Sequence, residues 1–358
     1  MSPIPLVRGR GAPSNAPSAR FDTPGREVDL DWLDDRESVD DGPPPLRTSV
    51  TIETPRTIVT RNTSPDIPFD RSVNAYRGCE HGCIYCFARP THAFLGLSPG
   101  LDFESRLFAK PSAPTLLRAE LSRKGYEPAV LAMGTNTDPY QPIEATHRIT
   151  RNLLRVMRDF HHPVSITTKS DRVVADLDIL ADLAAKGLVA VVISVTSLDR
   201  AIARTLEPRA ATPARRLAAI AKLSAAGIPT YVSVSPIIPA ITDHEIEAIL
   251  AAAAEAGAAG AFARPIRLPN EVAPLFRQWL DTHHPGRAAH TMSLIQSMRE
   301  GRDNDAGFGT RMKGSGPYAA LLQRRVALAK ARLGLDVARA SLRTDLFDVP
   351  GVKQLKLW

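Results

Sequence analysis

LVAVVISVTS, residues 188–197, runs almost without a polar break until its last residues. A short β-branched run of this kind reads as a strand buried on both faces, as in a parallel sheet covered by helices. Working outward, comparable runs recur at AVLAMGT (129–135), PVSITTKS (163–170), PTYVSVSP (229–236) and GAFARPIRL (260–268). Between them lie stretches with helical spacing: 144–160, 173–186, 212–226, 243–256 and 271–283. Gly187, Gly227 and Gly257 stand where helix C-caps belong, and Asp243 or Thr242 suits an N-cap. With a first strand near 72–77, the chain contains six βα units over about 210 residues. Eight units would need about 250 residues. The expected fold is α/β, a partial (β/α)6 barrel with a parallel sheet; a doubly wound open sheet is the competing architecture.

The flanks read differently. Residues 1–47 carry eight prolines and an acidic block from Asp29 to Asp41, so a disordered N-terminal tail is expected there. The barrel is expected over 48–285 and a C-terminal helical extension over 286–335, with helices at 288–300 and 317–333 around the glycine-rich loop 306–318. Residues 336–358 read as a C-terminal tail whose apolar end docks on the core. The net charge of +7, from 45 basic and 38 acidic residues, permits an acidic partner without requiring one. No run of 18 apolar residues and no signal-like N-terminus is present. The expectation is a cytoplasmic monomer with no membrane contact.

All three cysteines fall in one segment, NAYRGCEHGCIYCFARP (74–90), at Cys79, Cys83 and Cys86. An odd, clustered set is a poor disulfide framework and reads as metal ligands. Gly78 and Gly82 precede two of the cysteines and permit a tight loop around a bulky inorganic body. Three thiolates would hold three irons of a cubane and leave the fourth open. The competing reading is a structural zinc site completed by His81 or His92.

The C-x3-C-x2-C spacing, with the aromatic Tyr85 before the last cysteine, resembles the radical S-adenosylmethionine (SAM) superfamily signature. The resemblance implies a [4Fe–4S] cluster on Cys79, Cys83 and Cys86, with SAM chelated at the open iron. It also implies reductive cleavage of SAM to methionine and a 5′-deoxyadenosyl radical, fed by an external one-electron reductant of flavodoxin or ferredoxin type. GTNTDPYQPIE (134–144), LEPRAATPARRL (206–217) and FGTRMKGSGPY (308–318) resemble the spore photoproduct lyase-like branch of that superfamily.

That resemblance carries a set of cofactor-binding expectations, beginning with Tyr85 in the signature itself. Asn136 and Asp138 lie where the SAM amino group is received, although Asp138 also suits a helix cap. Lys169, closing the third strand, looks like the lysine near the ribose or carboxylate. Ser194 is positioned to bond the ribose, Glu207 and Arg209 to meet SAM polar groups, and Pro236 to lie on the adenine face. No fourth cysteine is present where true photoproduct lyases place a hydrogen donor, and this loop reads GTNTD. Dimer repair by that route is therefore not expected. The substrate stays open. Nucleic acid is one candidate, since residues 299–343 hold ten basic and four acidic residues. A non-catalytic zinc- or iron–sulfur-binding adaptor is the rival from another class.

Overall fold

The computed structural model describes residues 7–21 and 46–351. Much of the expected tail (1–6 and 22–45) and the last seven residues (352–358) lie outside the described residues.

The strands, in chain order, are β1 (Ser49–Ile52), β2 (Val59–Arg61), β3 (Arg71–Val73), β4 (Tyr76–Arg77), β5 (Arg106–Ala109), β6 (Leu131–Met133), β7 (Val164–Thr168), β8 (Val189–Ser194), β9 (Thr230–Ile237) and β10 (Gly260–Pro265). The main sheet has the order β10-β9-β8-β7-β6-β3-β2. Six of its strands, β3 and β6 to β10, are parallel neighbours in sequence order, and β2 adds an antiparallel edge beside β3. A doubly wound sheet reverses direction at a switch point. Here the order never reverses, so the sheet is singly wound, as a (β/α)6 partial barrel requires. Among the described residues β10 and β2 do not pair, and the sheet stays open between them.

The helices fall where the apolar spacing put them: Glu144–His147 and Ile149–Asp159, Leu177–Ala185, Pro213–Ala225, Ile246–Glu255 and Val272–His283. Every residue of β8 is buried, because helices cover one face and the barrel interior fills the other. Gly187, Gly227 and Gly257 take left-handed conformations just past three of these helices. No helix among the described residues is long and apolar enough to cross a membrane.

Two features depart from the sequence expectation. The first strand is split: 71–73 joins the barrel, whereas 76–77 turns away into a second sheet of order β1-β5-β4. Those strands are two to four residues long, too short for a periodic signal. Secondly, residues 7–21 lie against the body, inside the stretch whose composition reads as tail. Arg10 Nη1 donates to the Glu104 carbonyl (2.6 Å), and Gly11 N and Ala12 N donate to the Glu104 carboxylate (2.9 and 2.8 Å). Residues 335–349 dock on the core, as the apolar C-terminal stretch suggests, and cap the end of the barrel opposite the strand C-termini. Ala261 N donates to the Leu335 carbonyl, Arg343 N to that of Gly187 and Asp348 N to that of Phe160. Phe347 packs against Tyr126, Phe160 and His162.

Candidate active site

The loops that follow the parallel strands gather at one edge, where active sites of barrels lie. The loop after β3 and β4 carries the cysteines. Cys79 and Cys83 are buried, Cys86 is half-buried, and all three are free thiols. Gly78 and Gly82 take φ of +73° and +68°, which lets the loop turn tightly before each of the first two cysteines.

Two neighbouring loops clamp this one. After β6, Gly134 (φ +86°) passes so close to β7 that a Cβ would stand 2.0 Å from the Thr167 carbonyl oxygen. The chain then delivers Thr137 Oγ1 to the Gly78 carbonyl (2.6 Å). Gln141 bridges the same carbonyl (3.2 Å) and the Glu80 N–H (2.9 Å). Asp138 ties three loops together. It accepts from the Thr168 hydroxyl and the Lys169 N–H (both 2.7 Å) and from Tyr140 N (2.9 Å), and it faces His81 Nδ1 at 3.3 Å. Burial pushes its carboxyl up, but His81 and these donors outweigh burial and hold it at about 2.

On the other flank, Arg89 is fully buried beneath the cysteine loop. It donates to the carbonyls of Cys83 (2.9 Å) and Gly82 (3.1 Å) and to the Glu104 carboxylate. The N-terminal strap closes on this pair, and a Cβ at Gly11 would stand 1.9 Å from the Gly82 carbonyl oxygen.

Inside the barrel, a second buried pair joins Glu207 to Arg216. Tyr85 donates to Glu207, and Thr196 Oγ1 lies 2.8 Å from the same carboxylate and 3.2 Å from the Tyr85 hydroxyl. Lys169 Nζ sits 5.7 Å from the Tyr85 ring centroid, over its face. Burial alone would raise the Glu207 carboxyl, yet Arg216 and Lys169 hold it at about 2. Burial and the Glu207 charge push the Tyr85 phenol far up, so it serves as a donor.

The expected residues divide on inspection. Tyr85, Lys169 and Glu207 meet in this interior cluster. Ser194 is buried at the end of β8 and gives its carbonyl to Arg216 (3.0 Å). Pro236 lies in the last turn of β9, next to Ser235, whose Oγ is buried without a partner among the described residues. Asp138 belongs to the clamp. Arg209 pairs with Glu80 (3.1 Å) and donates its N–H to the His81 carbonyl (3.2 Å), bracing the cysteine loop from outside. Asn136 lines a separate cleft beside Gly78. Sequence reasoning passed over Arg89, Glu104 and Gln141, whose partners lie 6 to 93 positions away. Thr196, two residues past Ser194, supplies the hydroxyl that reaches Tyr85.

The zinc reading finds no support here. His81 is engaged by Asp138, and His92 Nε2 lies 3.0 Å from the Arg106 carbonyl. Among the described residues no three His, Cys, Asp or Glu side chains converge on a single-ion site. A cubane spreads its ligands wider than one ion does, and the donor set fits it. Burial, joined by the Asp138 charge and the other two thiols, pushes Cys79 far up, and burial pushes Cys83 to about 12 against the opposing Lys169 charge. Bound iron would offset that cost by stabilising the thiolates.

The family model described as the radical SAM superfamily matches residues 73–253, and the chain belongs to that superfamily. An uncharacterized protein of Mycobacterium tuberculosis (Rv2578c) is 34% identical over 293 residues, covering 79% of this chain and 81% of that one. An uncharacterized protein of Methanocaldococcus jannaschii (MJ0683) is 29% identical over 174 residues, 48% of this chain and 62% of that one. Among solved structures, a spore photoproduct lyase variant with bound AdoMet and dinucleoside spore photoproduct superposes with a TM-score of 0.56 at 16% identity, over 79% of each chain. That likeness is one of fold.

Proposed function

We propose that Cys79, Cys83 and Cys86 hold a [4Fe–4S] cluster and that the interior cluster of Tyr85, Lys169, Glu207 and Ser194, with Pro236, receives SAM at its open iron. When bound, that pair supplies reductive cleavage of the sulfonium S–C5′ bond, giving methionine and a 5′-deoxyadenosyl radical that abstracts hydrogen from substrate. The observation that carries this reading is the loop of three free thiols, two buried and one half-buried, beside a buried polar cluster at the strand C-termini. Lys169 offers a cation to the SAM carboxylate. The unpartnered Ser235 hydroxyl and the Pro236 ring offer a polar contact and an apolar face to the nucleoside. Glu207, fixed by Arg216, keeps the Tyr85 ring against the cluster loop and takes no part in proton transfer at neutral pH. Asn136 lines the separate cleft and Arg209 pairs with Glu80, so this reading does not use them for SAM, and it gives Asp138 a positioning role, orienting the cysteine loop through His81. The electron arrives from an external one-electron reductant.

The substrate reading favoured is a nucleic acid or its fragment. It rests on the fold-level likeness to a lyase solved with a dinucleoside product and on the basic run 299–343. Without a fourth cysteine, hydrogen return to substrate must use another group. The test is anaerobic reconstitution with iron and sulfide, then dithionite plus SAM. Formation of 5′-deoxyadenosine and methionine supports the reading; a fully loaded cluster that forms neither overturns it.

A further inference from the structure

A polar cleft of about 470 Å³ opens between the two sheets, at the C-terminal ends of β1, β5 and β3. Glu53 follows β1, Lys110 follows β5 and Asn74 follows β3, so three strand ends point their successors into one space. Gly78, the residue before Cys79, forms part of the wall, and Asn136 reaches in from the loop after β6. The cleft therefore lies beside the loop that carries the cysteines.

Its charge is uneven. Arg77 Nη2 pairs with Glu53 at 2.7 Å, and the two cancel. Lys110 and Arg56 remain without a carboxylate partner among the described residues. Lys110 is mostly enclosed, and its ammonium donates to the Asn74 carbonyl at 3.2 Å, a neutral acceptor. Burial lowers its pKa, Glu53 opposes that, and Arg77 adds to it. Three cations, Arg56, Arg77 and Lys110, face one carboxylate, Glu53, whose Oε2 is buried without a hydrogen-bond partner among the described residues, so the cleft keeps an excess of positive charge that favours an anionic ligand. The exposed Thr60 hydroxyl and the Asn136 amide line the same space and can donate to an oxyanion, while the Asn74 amide is engaged by Thr135.

We propose that this cleft binds a phosphate group, and that a phosphate-bearing substrate is anchored there, beside Gly78, while its reacting part lies on the cysteine side of the loop. The placement of the reacting part rests on the radical reading above; the phosphate site does not.

The test titrates the apo protein with inorganic phosphate and, separately, with a dinucleoside monophosphate, followed by 31P line broadening and calorimetry. Saturable binding is expected, weakened at least tenfold by Lys110→Met and about threefold by Arg56→Ala. Arg123→Ala, which removes an exposed arginine away from the cleft, is expected to change nothing. Thermal melts confirm that each variant folds, and Arg56→Ala carries the test if Lys110→Met does not. Absence of saturable binding, or equal binding by wild type and both cleft variants, overturns the proposal. Tighter binding of the dinucleoside monophosphate than of phosphate identifies a phosphodiester of nucleic acid as the source, and equal binding identifies a lone phosphate group. Assayed in parallel, 5′-deoxyadenosine without phosphate binding strikes the cleft alone. Phosphate binding without 5′-deoxyadenosine strikes the radical reading alone.

Discussion

Two buried arginine–glutamate pairs grip the cysteine loop from opposite sides, and they are built differently. Glu207 and Arg216 stand nine positions apart, inside the barrel, and their carboxylate is shared with Tyr85 and Thr196. Arg89 and Glu104 stand 15 apart, outside the barrel, and their partners are backbone: the Cys83 and Gly82 carbonyls and the N–H groups of Gly11 and Ala12. In the proposed reading, the inner pair orients side chains toward SAM. The outer pair fixes the path of the chain that carries the ligands. A buried pair adds little net stability over apolar residues, but breaking one side is costly because it leaves an uncompensated charge.

The largest effect is expected on the outer side. Arg89→Met strands the Glu104 carboxylate and should cost about 3–5 kcal/mol of folding stability, read by chemical denaturation. The double substitution Arg89→Met/Glu104→Met should be less harmful than the single one. A double variant as damaged as the single would break the comparison. On the inner side, Glu207→Gln should cost about 2–3 kcal/mol through weakened bonds to charged and hydroxyl partners. Iron content should hold while 5′-deoxyadenosine formation falls at least tenfold. Iron loss in this variant would make the two pairs equivalent.

His162 sharpens the contrast, being a buried base with no carboxylate partner. Its Nε2 meets the Tyr126 hydroxyl at 2.8 Å, and burial holds it down at about 4 against an ordinary 6.5. The unfolded chain takes up the proton near 6.5 and the folded chain only near 4. Its contribution is thus complete above pH 6.5 and lost as pH falls toward 4. Between pH 7 and pH 5 this amounts to about 2 kcal/mol, and His162→Gln should remove that part of the acid slope. The smallest effect is Gly11→Ala. The added methyl pushes the strap off the Gly82 carbonyl, costing about 1 kcal/mol and speeding oxidative bleaching of the reconstituted cluster several-fold.

The same contrast separates what was legible in the sequence from what was not. The barrel strands and their helices were readable because each is a periodic run with its own cap, as with 188–197 and Gly187. The cysteine loop was legible as a unit because its spacing resembles a family signature, and Glu207 lies in a second such string that the fold brings against Tyr85. The strap, the small sheet and the Arg89–Glu104 pair were not, since nothing local in GRGA or LDFES announces that the two segments meet. Asn136 and Arg209 show the limit from the other side. Both lie in signature strings, yet one faces the cleft beside Gly78 and the other braces Glu80. A motif gives identity along the chain, while direction comes from the packing.

The most direct measurement is the electron paramagnetic resonance spectrum of the reconstituted, dithionite-reduced protein with and without SAM. The account predicts the signal of a reduced four-iron cluster whose g values shift when SAM is added, and no such signal from Cys83→Ala. A signal indifferent to SAM, or a protein that takes up one zinc and no iron, would contradict it.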